Sequence, residues 1–342
     1  VLTPLWLWSK RSLAARLVRL SLLPPSLFYR MAMAARTRAY RVGLLRAAEV
    51  PVPVVAVGNL TVGGSGKTPI CNWIARYYAG QGLQPGIVLR GYGGDEGKLH
   101  RRLAESAIVV ENPDRVAGSR EAHANGADVV VLDDAFQRLD IVRDLNIALV
   151  STESGRAVRW TLPAGPWREG IKAIRRADVV VVTRKRADLD SAERMADRLA
   201  RVSHNKPTAI ARLGVTGFRG LLSGDAVPVE SLNGARVLAA AGVADPYTFA
   251  AQCSEFGAKV RLLPLEDHYE FSDQDTDRMV QAGRRVDYVV VTEKDAVKLR
   301  SLWPGSAPEP IVAALDVAWE AGQTEIETAL DAVVTRVDDF DF

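Results

Sequence analysis

The chain has 342 residues, 25% of them charged and 48% apolar, with a net charge of +3. That is long enough for one large domain or two ordinary ones, its composition is that of a globular protein, and its charge is too balanced to argue for a nucleic-acid partner. Two cysteines, Cys71 and Cys253, form no disulfide framework and no metal-ligand spacing, which suits a reducing compartment.

Residues 1–48 are set apart by charge. Nine lysines and arginines from Lys10 to Arg46 precede the single acid Glu49, interleaved with Trp6, Trp8, Leu13, Leu17, Leu20, Leu27 and Phe28. No run of about 18 uncharged apolar residues occurs, so no spanning helix is expected, and Arg16 and Arg19 interrupt any signal-peptide core. A basic amphipathic segment tipped with tryptophan suits the plane of an anionic membrane surface. The plainer alternative is a helical hairpin packed on the main domain, with Pro24-Pro25 as its corner.

From residue 49 the pattern changes. The apolar run Val54–Val57 enters a glycine-rich loop, Gly58 to Thr68, and a helical pattern leaves it. Short strands follow at Ile87–Leu89, Ile108–Val110, Val129–Leu132, Asn146–Val150 and Asp178–Thr183, alternating with helical stretches, the last at Asp190–Ser203. Continuous apolar strands alternating with helices predict a parallel sheet covered on both faces, with ligands at the C-terminal strand ends. The pattern restarts near Thr216 and predicts a second, smaller α/β domain over 216–342, after a kinase-like core over 49–215. Its strands are read at Val237–Ala241, Val260–Leu263, Tyr288–Thr292 and Ile311–Leu315, with helices at Pro246–Phe256 and near Asp273–Ala282. The acidic tail, Asp338 to Phe342, reads as a solvated end.

A strand, a glycine loop ending Gly-Lys-Thr and a helix make a phosphate cradle. Gly63, Gly64 and Gly66, with Ser65 between them, let successive N–H groups point at phosphate oxygens. Lys67 adds a point charge, and the Thr68 hydroxyl can hold Mg²⁺. Thr61 stands where a strict P-loop has glycine. The strand ending in Asp133-Asp134 fits a magnesium-binding carboxylate beside such a loop. Asp95, after Gly93 and Gly94, is placed to accept a hydroxyl proton, against the simpler reading of a turn aspartate. Arg168 and Glu169 follow a rigid Leu-Pro-Ala-Gly turn and are candidates for stabilising transferred charge and reaching the metal, against a surface ion pair. Asp267-His268 is the one Asp-His pair in the chain. Glu293-Lys294-Asp295 does not supply the Asn-Lys-x-Asp of guanine recognition, and no second lysine opens the phosphate loop as a dimeric switch ATPase would favour.

These motifs, in order, resemble the tetraacyldisaccharide 4′-kinase family of lipid A biosynthesis: Gly58-Asn59-Leu60-Thr61-Val62-Gly63-Gly64-Ser65-Gly66-Lys67-Thr68-Pro69, Arg90-Gly91-Tyr92, Gly94-Asp95-Glu96, Asp114-Arg115, Asp133-Asp134 with Phe136-Gln137, Leu162-Pro163-Ala164-Gly165 with Arg168-Glu169, Asp267-His268-Tyr269 and Thr292-Glu293-Lys294-Asp295. The family carries Ser or Thr at position 61. The resemblance implies a P-loop kinase that uses ATP and Mg²⁺ to phosphorylate the 4′-hydroxyl of a tetraacyl glucosamine disaccharide 1-phosphate, giving lipid IVA. It implies a monotopic enzyme at the cytoplasmic face of the bacterial inner membrane, with the lipid disaccharide as its substrate partner and no obligate protein partner. Asp95 matches the catalytic base and His268 its companion. Thr61, Gly63, Gly64, Ser65, Gly66, Lys67, Thr68, Tyr92, Arg115, Gln137 and Arg168 match nucleotide or other active-site positions, with Lys67 also catalytic, and Thr68, Asp133, Asp134 and Glu169 match metal positions. Ala135, Arg138 and Gly97 depart from the family's usual Gly, His and Pro.

Two rivals share part of this evidence. A membrane-associated P-loop ATPase switch that recruits a partner explains the loop and the basic arm, and leaves Asp95 and His268 without a purpose. A soluble kinase of a small metabolite leaves Trp6 and Trp8 unexplained.

Overall fold

The continuous apolar runs become strands buried on both faces. Val54–Asn59 (β1), Pro85–Leu89 (β2), Val129–Leu132 (β4) and Leu145–Ser151 (β5) contain no exposed residue. The computed structural model describes residues 8, 12–91, 95–153, 160–243, 245–266 and 269–338, which divide into two units. The first unit comprises Val1–Gly91, Ala104–Arg212 and Trp319–Phe342, and the second comprises Tyr92–Leu103 and Leu213–Ala318.

In the first unit a parallel sheet runs in the order Ile108–Glu111 (β3), β2, β4, β1, β5, Val179–Arg184 (β6) and the start of Thr208–Gly220 (β7). β1 lies between β4 and β5, so the loop leaving β1 emerges beside the end of β4. Leu13–Ser21 (α1) and Leu23–Arg41 (α2) form the N-terminal hairpin, Lys67–Gly80 (α3) follows the glycine loop, and Arg115–Ala124 (α5) and Leu189–Val202 (α6) connect later strands.

The hairpin turns at Leu22, the C-cap of α1 and N-cap of α2. Pro24 and Pro25 therefore lie inside the first turn of α2 rather than at the corner, where a missing N–H costs nothing. The hairpin belongs to the first unit. Ser26 Oγ donates to Thr161 O at 2.8 Å, Trp8 Nε1 to Pro163 O at 3.2 Å, and Arg36 to Gln137 O at 2.8 Å. Its other side exposes Leu13, Leu17, Leu27, Phe28 and Met31.

The units also differ from a simple succession at two places. Asp95–Leu103 (α4), a stretch where the sequence marks no helix and places Asp95 on a loop or turn, is helical and packs on Glu293–Leu299 (α9) in the second unit. Gln323–Asp338 (α10) returns to the first unit, where buried Tyr78 donates to Leu330 O at 3.0 Å. Residues 339–342 of the acidic tail lie outside the described residues.

In the second unit Lys259–Pro264 (β10), Arg236–Ala241 (β9), Tyr288–Thr292 (β11) and Ile311–Ala321 (β12) pair in parallel, and Ala226–Val227 (β8) pairs antiparallel to the end of β7. Pro246–Ser254 (α7) and Asp273–Gly283 (α8) flank them. The Thr292-Glu293-Lys294-Asp295 motif is structural: Thr292 caps α9, and Asp295 accepts from Thr292 Oγ1 at 2.6 Å and from Gly242 N at 3.0 Å. Glu293 is ion-paired to Arg219 at 2.7 Å.

One glycine fixes the spacing of the first sheet's ligand end. A Cβ at Gly58 would stand 2.7 Å from Phe136 Cβ and closer still to the Phe136 amide, so the chain after β4 can pass over β1 only because position 58 has no side chain. Gly58→Ala is expected to cost about 1–3 kcal/mol through overpacking, measured by urea unfolding; an unchanged midpoint would refute this packing argument.

Candidate active site

β1 delivers the glycine loop, and the loop is shaped from within. Asn59, fully buried, donates through Nδ2 to Ser65 Oγ at 2.7 Å and pinches the loop at its base. Thr183 Oγ1 at the end of β6 donates to Ser65 O at 3.0 Å. Gly66 is the N-cap of α3 at φ +83°, a left-handed conformation that favours glycine. Lys67 and Thr68 then open α3, where free N–H groups and the helix dipole favour an anion.

β4 brings two carboxylates alongside. Asp133 is buried, and its carboxylate meets the thiol of Cys71 on α3. Burial, then Asp133, pushes that thiol well up, so it stays protonated as the donor. Cys71 is three residues beyond Thr68 on the same helix, so Asp133 lies over the first turn of α3. Asp134 adopts φ +52°, tolerated by aspartate better than by most residues. Its Oδ1 receives Arg168 at 2.8 Å and Lys67 at 3.7 Å. Ala135, in place of the family's glycine, is accommodated: its φ is not positive, its amide donates to Val57 O, and its methyl is core. Arg138 pairs with Asp140 at 2.6 Å.

The 162–169 turn is bolted to the loop through the backbone. Val62 N donates to Pro166 O at 2.7 Å and Arg168 N to Leu60 O at 2.8 Å, on either side of the Thr61–Trp167 bridge. Thr61 is thereby buried, with its backbone in this clamp. Gln137 donates to Asn59 O at 2.9 Å and accepts from Arg168 at 3.3 Å. Glu169, expected at the metal, has both carboxylate oxygens on Arg176 at 2.7 Å. Arg115 donates to the carbonyls of Asn112 and Asp133, so its guanidinium holds backbone at the end of β4. Tyr29 of α2 also reaches this wall: burial, then the charge of Glu169, raises its pKa.

The structure therefore gathers Thr61, Gly63, Gly64, Ser65, Gly66, Lys67, Thr68, Arg115, Asp133, Asp134, Gln137, Arg168 and Glu169 within the first unit. Asp95 is the first residue of α4 in the second unit. Tyr92 and His268 lie outside the described residues. Among the described residues no three His, Cys, Asp or Glu side chains form a cage. The donors present still fit Mg²⁺, which takes one or two protein oxygens and completes its shell with phosphate and water: Asp133 lies over the turn that carries Thr68.

Sequence reasoning missed a further cation. Lys185 Nζ lies 3.4 Å from where a Cβ on Gly64 would stand. The loop lacks a lysine at its start, and the end of β6 brings one to it instead. Glu153 orders the segment: it accepts the backbone amides of Lys185, Arg186 and Ala187 at 2.8, 3.0 and 3.2 Å, and Ser151 Oγ at 2.7 Å. Burial raises its pKa, but these donors outweigh it and the net shift is downward. The available signal was position: Arg184-Lys185-Arg186 closes an apolar strand, as Asp133-Asp134 does.

A glycine loop closing on Gly-Lys-Thr, a strand-end aspartate over the first helical turn and cations converging from three elements, all on a parallel sheet, define a P-loop phosphotransferase. A family model for tetraacyldisaccharide-1-P 4′-kinase matches residues 18–100 and 93–335. Tetraacyldisaccharide 4′-kinases from Pelobacter propionicus and Aromatoleum aromaticum are each 36% identical to this chain, covering 90% and 86% of it and 91% and 88% of their own lengths. The crystal structure of LpxK from Aquifex aeolicus in complex with ATP superposes with a TM-score of 0.74 at 27% identity, over 93% of this chain and 99% of that one. The chain belongs to the tetraacyldisaccharide-1-P 4′-kinase family.

Because the folded-state pKa of Glu153 is lowered, its stabilisation is present above the unfolded carboxylate range and is lost as pH falls through the folded value. Glu153→Gln is expected to cost about 1–3 kcal/mol at neutral pH, and the difference from the native chain should close on acidification below about pH 4. Thermal unfolding across pH measures this; a pH-independent difference would assign the effect to packing alone.

Proposed function

We propose that this chain transfers the γ-phosphate of ATP to the 4′-hydroxyl of a tetraacyl glucosamine disaccharide 1-phosphate. The observation that carries the reading is the pair of cations, Lys67 and Arg168, on one oxygen of Asp134 beside the glycine loop. Such fixed charges stabilise a transferring phosphoryl group with little reorganisation. The loop amides and Lys67 bind the donor phosphates, and Lys185 adds charge at Gly64. Thr68 and Asp133 would hold Mg²⁺, with Asp134 next to them; when bound it neutralises charge across the β- and γ-phosphates. Arg176 holds Glu169, which keeps a carboxylate beside Arg168 without leaving it uncompensated. Asp95, matching the family's base, takes the proton of the sugar hydroxyl, with His268 as its companion.

The reaction requires an acceptor whose acyl chains stay in a lipid surface. Leu13, Leu17, Leu27, Phe28 and Met31 are exposed on α1 and α2, among arginines, and support peripheral attachment at the cytoplasmic face of the inner membrane. No helix among the described residues is long and apolar enough to cross a membrane. α2 is joined to Thr161 and Gln137 by side-chain hydrogen bonds, so this surface and the phosphate site are parts of one unit.

Purified chain, labelled ATP and the disaccharide lipid in detergent micelles test the reading. Phosphorylated lipid is expected; ATP hydrolysis without transfer would favour the switch ATPase. Asp95→Asn should lower turnover by roughly 10²–10⁴-fold with ATP affinity changed by less than about twofold. Retained turnover would remove Asp95 as the base.

A further inference from the structure

Outside the phosphate site, a cavity of about 340 Å³ opens at the foot of α2. Three arginines line it, Arg41, Arg143 and Arg176, together with the Tyr40 ring and the apolar side chains of Leu139 and Val142. No carboxylate is among its lining residues in the described structure. Arg176 is turned toward Glu169, and Arg143 has a long contact to Phe136 O at 3.5 Å. Arg41, at the end of α2, is exposed. Burial, then the neighbouring Arg176 guanidinium, lowers the Arg143 pKa against the opposing pull of Asp178, Asp140 and Glu169.

The chain beside this cavity is apolar and uncovered. Val42, Leu44 and Leu45 follow Arg41 directly and are 51%, 80% and 44% exposed, and Val142 is 41% exposed. The two segments are held together, since Val142 N donates to Ala48 O at 2.9 Å next to the Ala48–Ile141 bridge. A cationic cavity beside exposed aliphatic side chains matches a ligand with a phosphate at one end and a hydrocarbon chain at the other. A free phosphate satisfies the arginines and leaves the aliphatic residues in water; a neutral lipid does the reverse.

We propose that this cavity seats the phosphate diester of an anionic phospholipid, with its chain lying over Val42, Leu44, Leu45 and Val142. Arg41 and Arg143 form charge-assisted hydrogen bonds to the phosphate oxygens, while Arg176, held by Glu169, contributes charge to the wall, and the buried aliphatic area adds the apolar part of the affinity. This site is separate from the glycine loop and stands independently of the reaction proposed above, because its readout is binding rather than turnover.

The test uses the full chain and dihexanoyl phosphatidylglycerol below its micellar concentration, titrated by calorimetry. Dihexanoyl phosphatidylcholine and inorganic phosphate serve as the other arms. Saturable 1:1 binding of the anionic lipid is expected, roughly tenfold or more tighter than either control. Arg41→Gln should weaken it roughly fivefold to tenfold, whereas Arg38→Gln, the same charge change one turn earlier and outside the cavity, should stay within about twofold. Both arginines are exposed, so neither change threatens the fold. Equal binding of the two lipids would overturn the proposal in favour of apolar adsorption. Inorganic phosphate binding as tightly as the anionic lipid would reassign the cavity to a free phosphate. Equal loss in both variants would reduce it to diffuse attraction by a basic helix.

Discussion

Two backbone hydrogen bonds, Val62 N to Pro166 O and Arg168 N to Leu60 O, govern the geometry of the phosphate site. They join the glycine loop to a turn a hundred residues later, and they do so without involving a side chain. Once Arg168 N is fixed to Leu60, its guanidinium falls on Asp134, and Gln137 closes the circuit by bridging Arg168 to Asn59 O. The N-terminal hairpin then docks on the same turn through Thr161 and Pro163. Each such bond contributes only about 0.5–1.5 kcal/mol net, but losing one would release several functional groups together.

Each carboxylate of the site described above has a cation or a donor beside it. Asp134 has Lys67 and Arg168, Glu169 has Arg176, and Asp133 has the protonated thiol of Cys71. Breaking one partner away from a buried group costs more than the pair contributes, which makes the arrangement rigid. That rigidity is what electrostatic catalysis of phosphoryl transfer requires, because dipoles and charges already in place do not need to reorganise during the reaction. The left-handed backbone at Asp134 is the local strain that this convergence entails.

The parallel strands were legible because burial on both faces leaves continuous apolar runs such as Val129–Leu132, and the phosphate loop was legible because its chemistry demands particular residues in a row. The hairpin was foreseen, but its corner was misplaced: Pro24-Pro25 reads as a break, although proline also suits a first helical turn. α9 was hidden because its buried positions include Glu293 and Asp295, so the polar–apolar rhythm that marks a helix is inverted there. α4 was hidden by composition, with Asp, Glu, Gly, Lys, His and two arginines in nine residues. The clamp between loop and turn left no trace in either segment, since a backbone amide is the same in every residue. Lys185 was visible by position and overlooked because the loop's own lysine already satisfied the motif.

The return of α10 to the first unit bears on the order in which the molecule can be made. During synthesis the phosphate-loop unit is open on one side until α10 leaves the ribosome: Tyr78 and Leu330, hydrogen-bonded and fully buried, are separated by 252 residues. The second unit, whose segments end at Ala318, has all its strands before then. The phosphate-loop unit is therefore completed after the second unit, although its glycine loop is made first. A polypeptide released early, with the glycine loop and both aspartates already present, would carry the motif with α3 uncovered.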